Sequence, residues 1–237
     1  MSTEKIGLWK VYSFTEVTST NDIAADITQH QPSPIIVVAD YQKNGRGRMG
    51  REWISCSGNL YMSQALKVLC PINYLPFICS VSIVEALEIF VPNLNIQIKW
   101  PNDILIDGKK VCGILIEKSI NEETIIGVGL NLMSSPAASQ ISYQATNLKD
   151  YGVNIDKNDF IKEYLKFFDK NTKLCSCGFS SIRSKWLKYA FALNEEIKVK
   201  TLRNTDIGIF EGIDEQGFLL LKKEDKTIKI AAGDVFV

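Results

Sequence analysis

The chain has 237 residues, 46% hydrophobic and 23% charged, enough to bury one sizeable core with a small appendage. Lysine plus arginine and aspartate plus glutamate each number 27, and the resulting zero net charge argues against broad binding to DNA, RNA or anionic lipid. Six cysteines (56, 70, 79, 112, 175 and 177) and the single His30 lack zinc spacing, so no metal-ligand set is expected and Cys175-Ser176-Cys177 reads as two unrelated thiols.

The opening Met1-Ser2-Thr3-Glu4-Lys5 lacks the basic-then-apolar order of a signal peptide, and no apolar run is expected to reach spanning length. The reading is a cytoplasmic protein with reduced thiols and no membrane attachment. Ile35-Ile36-Val37-Val38-Ala39 is β-branched and apolar, a buried strand, and residues 42–51 after it are polar, rich in Gly and Arg, and loop-like. Residues 60–66 return to strand character. Residues 76–90 space Phe77, Val81, Val84 and Leu87 as a helix, with Glu85 and Glu88 expected outward.

Strands are expected at 96–99, 104–106, 111–117 and 124–132, and Asp107-Gly108 between the second and third is a two-residue hairpin signal. Residues 134–142 read as a loop, and 159–174 and 182–190 as helices. From about Asn194 the pattern changes to short strands at 197–201, 207–212, 218–222 and 227–231, with turns at 214–217 and 224–226, as in a small barrel. Two domains are expected, a mixed α/β body over 1–192 and an all-β domain over 193–237.

Gly45-Arg46-Gly47-Arg48-Met49-Gly50-Arg51 interleaves arginines with glycines. Glycine lets backbone N–H groups approach a ligand, and the guanidinium fork matches carboxylate and phosphate oxygens. The stretch is an anion-binding loop, a flexible basic surface loop or an RNA contact; it is neither a Rossmann fingerprint nor a Walker A loop. Trp53 beyond it suits stacking on a nucleobase and equally suits a core. In Trp100-Pro101-Asn102-Asp103, a two-residue turn at 107–108 pairs Leu105 with Lys110 and Asp103 with Cys112, so Asp103 and Lys110 share a face. That carboxylate and ammonium form a candidate site or an exposed ion pair.

These segments, in this order, resemble biotin protein ligases: Ser19-Thr20-Asn21, Gln42, the Gly45–Arg51 loop with Trp53, Lys99-Trp100-Pro101-Asn102-Asp103, Lys110-x-x-Gly113-Ile114-Leu115-Ile116-Glu117, and Gly127-Val128-Gly129-Leu130-Asn131. The resemblance implies an α/β fold of the α+β kind: a mixed β-sheet with flanking helices like that of class II aminoacyl-tRNA synthetases, plus an SH3-like C-terminal β-barrel. It implies the monofunctional type without an N-terminal DNA-binding domain, since Ser19 leaves no room for one. Met49 departs from the pattern, because the best-known members carry another basic residue there. Glu52 is a second departure, and it is expected to pair with a loop arginine.

The implied activity is ATP-dependent formation of biotinyl-5'-AMP and transfer of biotin to a lysine of a biotin carboxyl carrier protein. By resemblance, Lys110, Arg48 and Asp103 are catalytic. Ser19, Thr20, Asn21, Gln42, Gly45, Arg46, Gly47, Arg48, Lys110 and Gly113 bind biotin, and Arg48, Arg51, Trp53, Asn102 and Asn131 bind nucleotide. Mg²⁺ is expected on the pyrophosphate, without a protein metal site. A homodimer through the sheet is a further implication, and DNA is not an expected partner. The rivals are a lipoate or octanoyl transferase, which the Arg/Gly loop and Trp53 disfavour, and a nucleic-acid-binding module, which zero net charge disfavours.

Overall fold

The computed structural model describes residues 1–68, 70–224 and 226–237. In chain order it has β1 (Ser2–Ile6), β2 (Trp9–Val17), α1 (Thr20–Thr28), β3 (Ile35–Gln42), β4 (Leu60–Leu66) and α2 (Leu75–Phe90). Four strands follow: β5 (Ile96–Lys99), β6 (Asp103–Ile106), β7 (Lys109–Lys118) and β8 (Thr124–Leu130). Then come α3 (Lys157–Ser176), α4 (Ser180–Lys188), β9 (Glu196–Lys200), β10 (Thr205–Ile213), β11 (Leu219–Lys223), β12 (Lys226–Ile230) and β13 (Asp234–Phe236). The chain divides into two compact units, Met1–Leu69 with Lys109–Glu163, and Cys70–Gly108 with Tyr164–Val237.

The first unit is built on strands in the order β1-β2-β3-β4-β8-β7. Only β2 and β3 run parallel, because α1 carries the chain between them; the other neighbours are antiparallel, so the sheet is mixed. The run Ile35–Val38 is at most 9% exposed, as its unbroken apolar character requires. Helix α1 is the element the strand-centred reading of the first third misses. Its signal is present: Ser19 takes an extended N-cap conformation (φ −152°, ψ 137°), and Ile23, Ala24 and Ile27 then recur at helical spacing. They pack on Tyr12, Ile35, Val37, Ala65 and Ile125, and this fixes Thr20 and Asn21 at the buried start of the helix.

In the second unit α2 is a core helix, with Phe77, Val81, Val84 and Leu87 all buried. Two expectations about it need correction. Ile72–Phe90 is, by length and composition, apolar enough to cross a membrane, contrary to the expectation that no run reaches spanning length. Its buried apolar faces make it a core helix here. Glu85 is also not turned outward. Its side chain is 16% exposed and is held by Lys185 on α4 at 2.7 Å and by the Asn171 amide at 2.7 Å. An ion pair lets a carboxylate sit on a buried face that periodicity alone would assign to solvent. Fully buried Trp186 meets Phe77 and Phe210 edge-on, with centroids 5.5 and 6.5 Å away, tying α2, α4 and β10 together.

Strands β5 and β6 form an antiparallel pair joined by Trp100-Pro101-Asn102, with a cis peptide before Pro101. Asp107 and Gly108 have φ of +50° and +75°, the pair of positive values that the hairpin signal requires. The last strands form an antiparallel sheet in the order β12-β11-β10-β9-β13; β13 lies beyond the four strands read from sequence. The turn expected at 224–226 includes Asp225, which lies outside the described residues. Cys175 is buried and Cys177 exposed, both as free thiols, and burial pushes Cys175 up to about 11.

The 214–217 turn is held by one carboxylate. Asp214 Oδ1 accepts from the Gln216 and Phe218 amides, both at 2.9 Å, and Lys229 lies 2.8 Å from Oδ2. Burial pushes this carboxyl up, but the Lys229 and backbone bonds outweigh it and leave its pKa below the ordinary 3.8. Its stabilising contribution is therefore present above the unfolded-state value and is lost as pH falls through the lower folded value. Asp214→Ala is expected to cost about 1–3 kcal/mol in urea denaturation at neutral pH, with the difference from the parent shrinking as pH drops below the carboxylate range.

Candidate active site

The site-bearing residues of the first unit come from four places: the start of α1, the end of β3, the loop after it, and the facing strands β7 and β8. The first two are joined by Gln42, whose Oε1 accepts from the Thr20 amide at 2.9 Å and the Thr20 hydroxyl at 3.0 Å. Ser63 on β4 places its hydroxyl 2.7 Å from Thr20 Oγ1 and 2.5 Å from Asn21 Oδ1. Asn21 Nδ2 then donates to Glu117 Oε2 at 2.5 Å. The result is a polar chain, Gln42–Thr20–Ser63–Asn21–Glu117, buried as far as Asn21, in which each side chain fixes the orientation of the next. Ser19, at the N-cap, is 3% exposed. The sequence reading named Thr20, Asn21 and Gln42 but not Ser63. Its signal is a hydroxyl within the apolar strand 60–66, two residues from Tyr61 on the same face.

The Arg/Gly loop is compact. The Trp53 amide donates to the Gly45 carbonyl at 2.9 Å, the Gly47 amide to the Arg51 carbonyl at 2.7 Å, and Arg51 Nε to the Arg48 carbonyl at 3.2 Å. Residues Arg48–Gly50 make a short helical turn with Met49 at φ +57°, a break in what sequence presents as featureless loop. Arg46 does not reach into solvent alone: its guanidinium grips Asp22 at 2.6 and 2.8 Å, with Glu117 at 3.4 Å. The hydrogen bonds to Asp22, outweighing burial, raise its pKa and keep it cationic.

Trp53 reaches from the loop onto the sheet. Gly113 and Gly129 pair with each other across β7 and β8, and the indole lies against both. A Cβ on Gly113 would stand 2.7 Å from Trp53 Cζ3, and one on Gly129 2.5 Å from Cε2, closer than any real side chain tolerates. Gly127, one step along β8, is covered in the same way by Asn21 Oδ1. The glycines of Gly127-Val128-Gly129 therefore form a flat floor. Trp53 Nε1 is buried and finds no hydrogen-bond partner among the described residues, an unmatched donor in the ring that covers the floor.

Lys110, at the start of β7, brings its ammonium to this floor. Nζ lies 5.4 Å from the Trp53 ring centroid and 5.2 Å from that of Tyr143, within cation–π range of both. Tyr143 is there because residues 144–146 pair beside Lys110: its amide donates to the Gln144 carbonyl at 2.8 Å, and its carbonyl accepts from Thr146 at 2.9 Å. Residues 134–142 are loop as expected, and nothing in the composition of residues 143–146 announces their docking beside Lys110.

Asn131 is 2% exposed and donates to the Thr146 carbonyl at 3.0 Å. Its neighbour Asn59, absent from the sequence reading, is a hub: its Oδ1 accepts from the amides of Leu132, Met133 and Ser134 at 3.0–3.2 Å. Tyr61 closes the segment from the loop to β4 by bonding both backbone groups of Cys56, at 2.6 and 2.7 Å. Burial pushes the Tyr61 phenol up to about 12, so it stays a donor at neutral pH. Asn102 and Asp103 belong to the second unit, partly buried at the turn after β5 and the start of β6, while Trp100 there is core, its indole donating to the Gly217 carbonyl at 3.1 Å.

A mixed sheet with a glycine floor under Trp53, a polar chain that ends on Glu117 and a lysine at the edge of the floor is a frame for holding a small molecule with an anionic end. The chain matches the biotin/lipoate A/B protein ligase family over residues 11–131 and the biotin protein ligase C-terminal domain over 192–237. It belongs to that family.

It is 34% identical, over 99% of its length and 76% of the relative's, to the bifunctional ligase/repressor BirA of Bacillus spizizenii. It is 33% identical to the biotin–[acetyl-CoA-carboxylase] ligase of Paracoccus denitrificans over 92% of its length and 96% of the relative's. Among solved structures it resembles the biotin protein ligase from Aquifex aeolicus in complex with biotin and ATP, with a TM-score of 0.83 and 30% identity over 95% of this chain and 97% of that one.

The glycine floor makes a direct prediction. Gly129→Ala should drive Trp53 off β8, seen as a red-shifted and more quenchable indole emission against a Trp53→Phe control, with unchanged far-ultraviolet circular dichroism.

Proposed function

We propose that this chain is a biotin protein ligase that joins biotin to ATP as biotinyl-5'-AMP, releases pyrophosphate, and passes the biotin to a lysine of a biotin carboxyl carrier protein. The observation that carries the reading is Lys110 bracketed by Trp53 and Tyr143 at the edge of the Gly113–Gly129 floor. In the first step a biotin carboxylate oxygen attacks the α-phosphorus and the pyrophosphate oxygen leaves. Two anions must meet, and at 4 Å two unit charges repel by roughly 4 kcal/mol at an effective dielectric near 20. A cation fixed in advance offsets that repulsion and stabilises the transition state without reorganising.

Lys110 and Arg48 serve the reacting oxygens, and Arg51 the remaining phosphates, where Mg²⁺ accompanies ATP as part of the substrate. Biotin lies beside the floor that Trp53 covers, with Ser19, Thr20, Asn21, Gln42 and the Gly45–Gly47 backbone as donors and acceptors for its ureido ring. Trp53 and Asn131 serve the nucleotide side. Asn102 keeps the nucleotide-binding role implied by resemblance, and Asp103 the role of orienting or deprotonating the carrier lysine. In the second step that amine attacks the acyl carbon and AMP leaves.

The reading takes residues 1–192 as the catalytic body and 193–237 as an SH3-like domain, in a cytoplasmic protein that acts on a carboxylase carrier and pairs with a second copy of itself. Incubation with biotin, MgATP and a carrier domain should add one biotin per carrier by mass spectrometry; a carrier of unchanged mass would refute the assignment. Lys110→Ala is expected to lower biotin-dependent pyrophosphate exchange by about 10²–10³ or more, the scale of losing one preorganised charge donor. Arg48→Gly should let the adenylate escape and label bystander lysines, measured by peptide mapping of an added non-carrier protein.

A further inference from the structure

The Arg46 guanidinium is held by carboxylates of two other elements. Nη1 donates to Asp22 Oδ2 at 2.8 Å and Nη2 to Asp22 Oδ1 at 2.6 Å, a two-pronged pairing, and Nη2 lies 3.4 Å from Glu117 Oε2. That Glu117 oxygen also accepts from Asn21 Nδ2. One positive group thus faces two carboxylates, one on α1 and one on β7. An incoming anion at Arg46 would meet a locally negative cluster. Parallel N–H···O pairs are also the most directional contact a guanidinium makes, so they fix the loop in one position.

We propose that Asp22 and Glu117 are positioning residues that use Arg46 as a latch, holding the Arg/Gly loop closed over the bound biotinyl-adenylate. The inference rests on the ligase reading above. It moves Arg46 from the biotin-binding set implied by resemblance to the group that retains the ligand, and leaves the reacting oxygens to Lys110 and Arg48. The loop is then fastened at two points: the Trp53–Gly45 backbone bond at its base and the Arg46 pair at its side. Glu117 links the latch to Asn21, so the side chain proposed to meet biotin and the loop that covers it share one carboxylate.

The test uses the full chain with Asp22→Asn and Glu117→Gln, singly and together; both substitutions keep shape and remove charge. Biotin-dependent pyrophosphate exchange reports the chemical step, and release of preformed radiolabelled adenylate into excess unlabelled biotin reports retention. The expected result is release faster by about tenfold in Asp22→Asn, the size of losing a charge-assisted pair, with exchange kcat within about twofold of the parent. Added salt should speed release from the parent more than from the double variant, because the latch carboxylates and guanidinium are 36–44% exposed and therefore screened. If Arg46 were an anion ligand restrained by the carboxylates, their removal would tighten ATP binding and slow release, and this would overturn the latch. Unchanged release, or a salt effect equal in parent and double variant, would overturn it as well. A parent protein without biotin-dependent exchange would instead defeat the ligase reading, before any variant is made.

Discussion

The site depends on one close approach, that of the Trp53 indole to the backbone of β7 and β8. No side chain larger than glycine can occupy positions 113 and 129 without displacing the ring. Because the ring lies flat there, Lys110 at the head of β7 has an aromatic face to rest against, and the loop that supplies Trp53 is drawn over the sheet. This contact brings Lys110 and the segment that carries the loop arginines to the same sheet. A flat apolar floor with charge at its rim is also what a ligand with an uncharged body and an anionic end requires.

The polar side of the site follows a different rule. Thr20, Asn21, Gln42 and Ser63 are at most 8% exposed, and burying them unpaired would cost roughly 1–3 kcal/mol each. They are instead linked hand to hand, ending on Glu117 and Arg46. A network of this kind holds hydroxyl and amide groups in fixed orientations, so a ligand meets donors and acceptors already aimed. It also couples the floor, the helix start and the loop into one mechanical unit within the first part of the chain.

Much of this was legible beforehand. The β-branched run at 35–38, the Asp107-Gly108 turn and the apolar spacing of α2 announced their elements, because each follows from local backbone preference or from the period of burial. The motif residues were legible as a set through resemblance. The misses share a cause. Helix α1 does not stand out in the sequence because nine residues give too short a window for a period beside strong strands, and Glu85 departs from its outward periodicity because Lys185 waits on another helix.

The sequence alone determined which chemistry was available: permanent cations flanked by glycine, a lysine beside a tight turn, hydroxyl and amide groups near the start, and little net charge to spend on nucleic acid. These are properties of residue types and short spacings, which a chain carries unfolded. Only the tertiary structure decided how that chemistry is divided. It gave Arg46 to Asp22 and Glu117, set Tyr143 over Lys110 and made Asn59 the anchor of the segment after β8. Such pairings join positions 24 to 75 residues apart, and they are fixed by strand register and by the cost of burying polar groups unpaired, which no local pattern encodes.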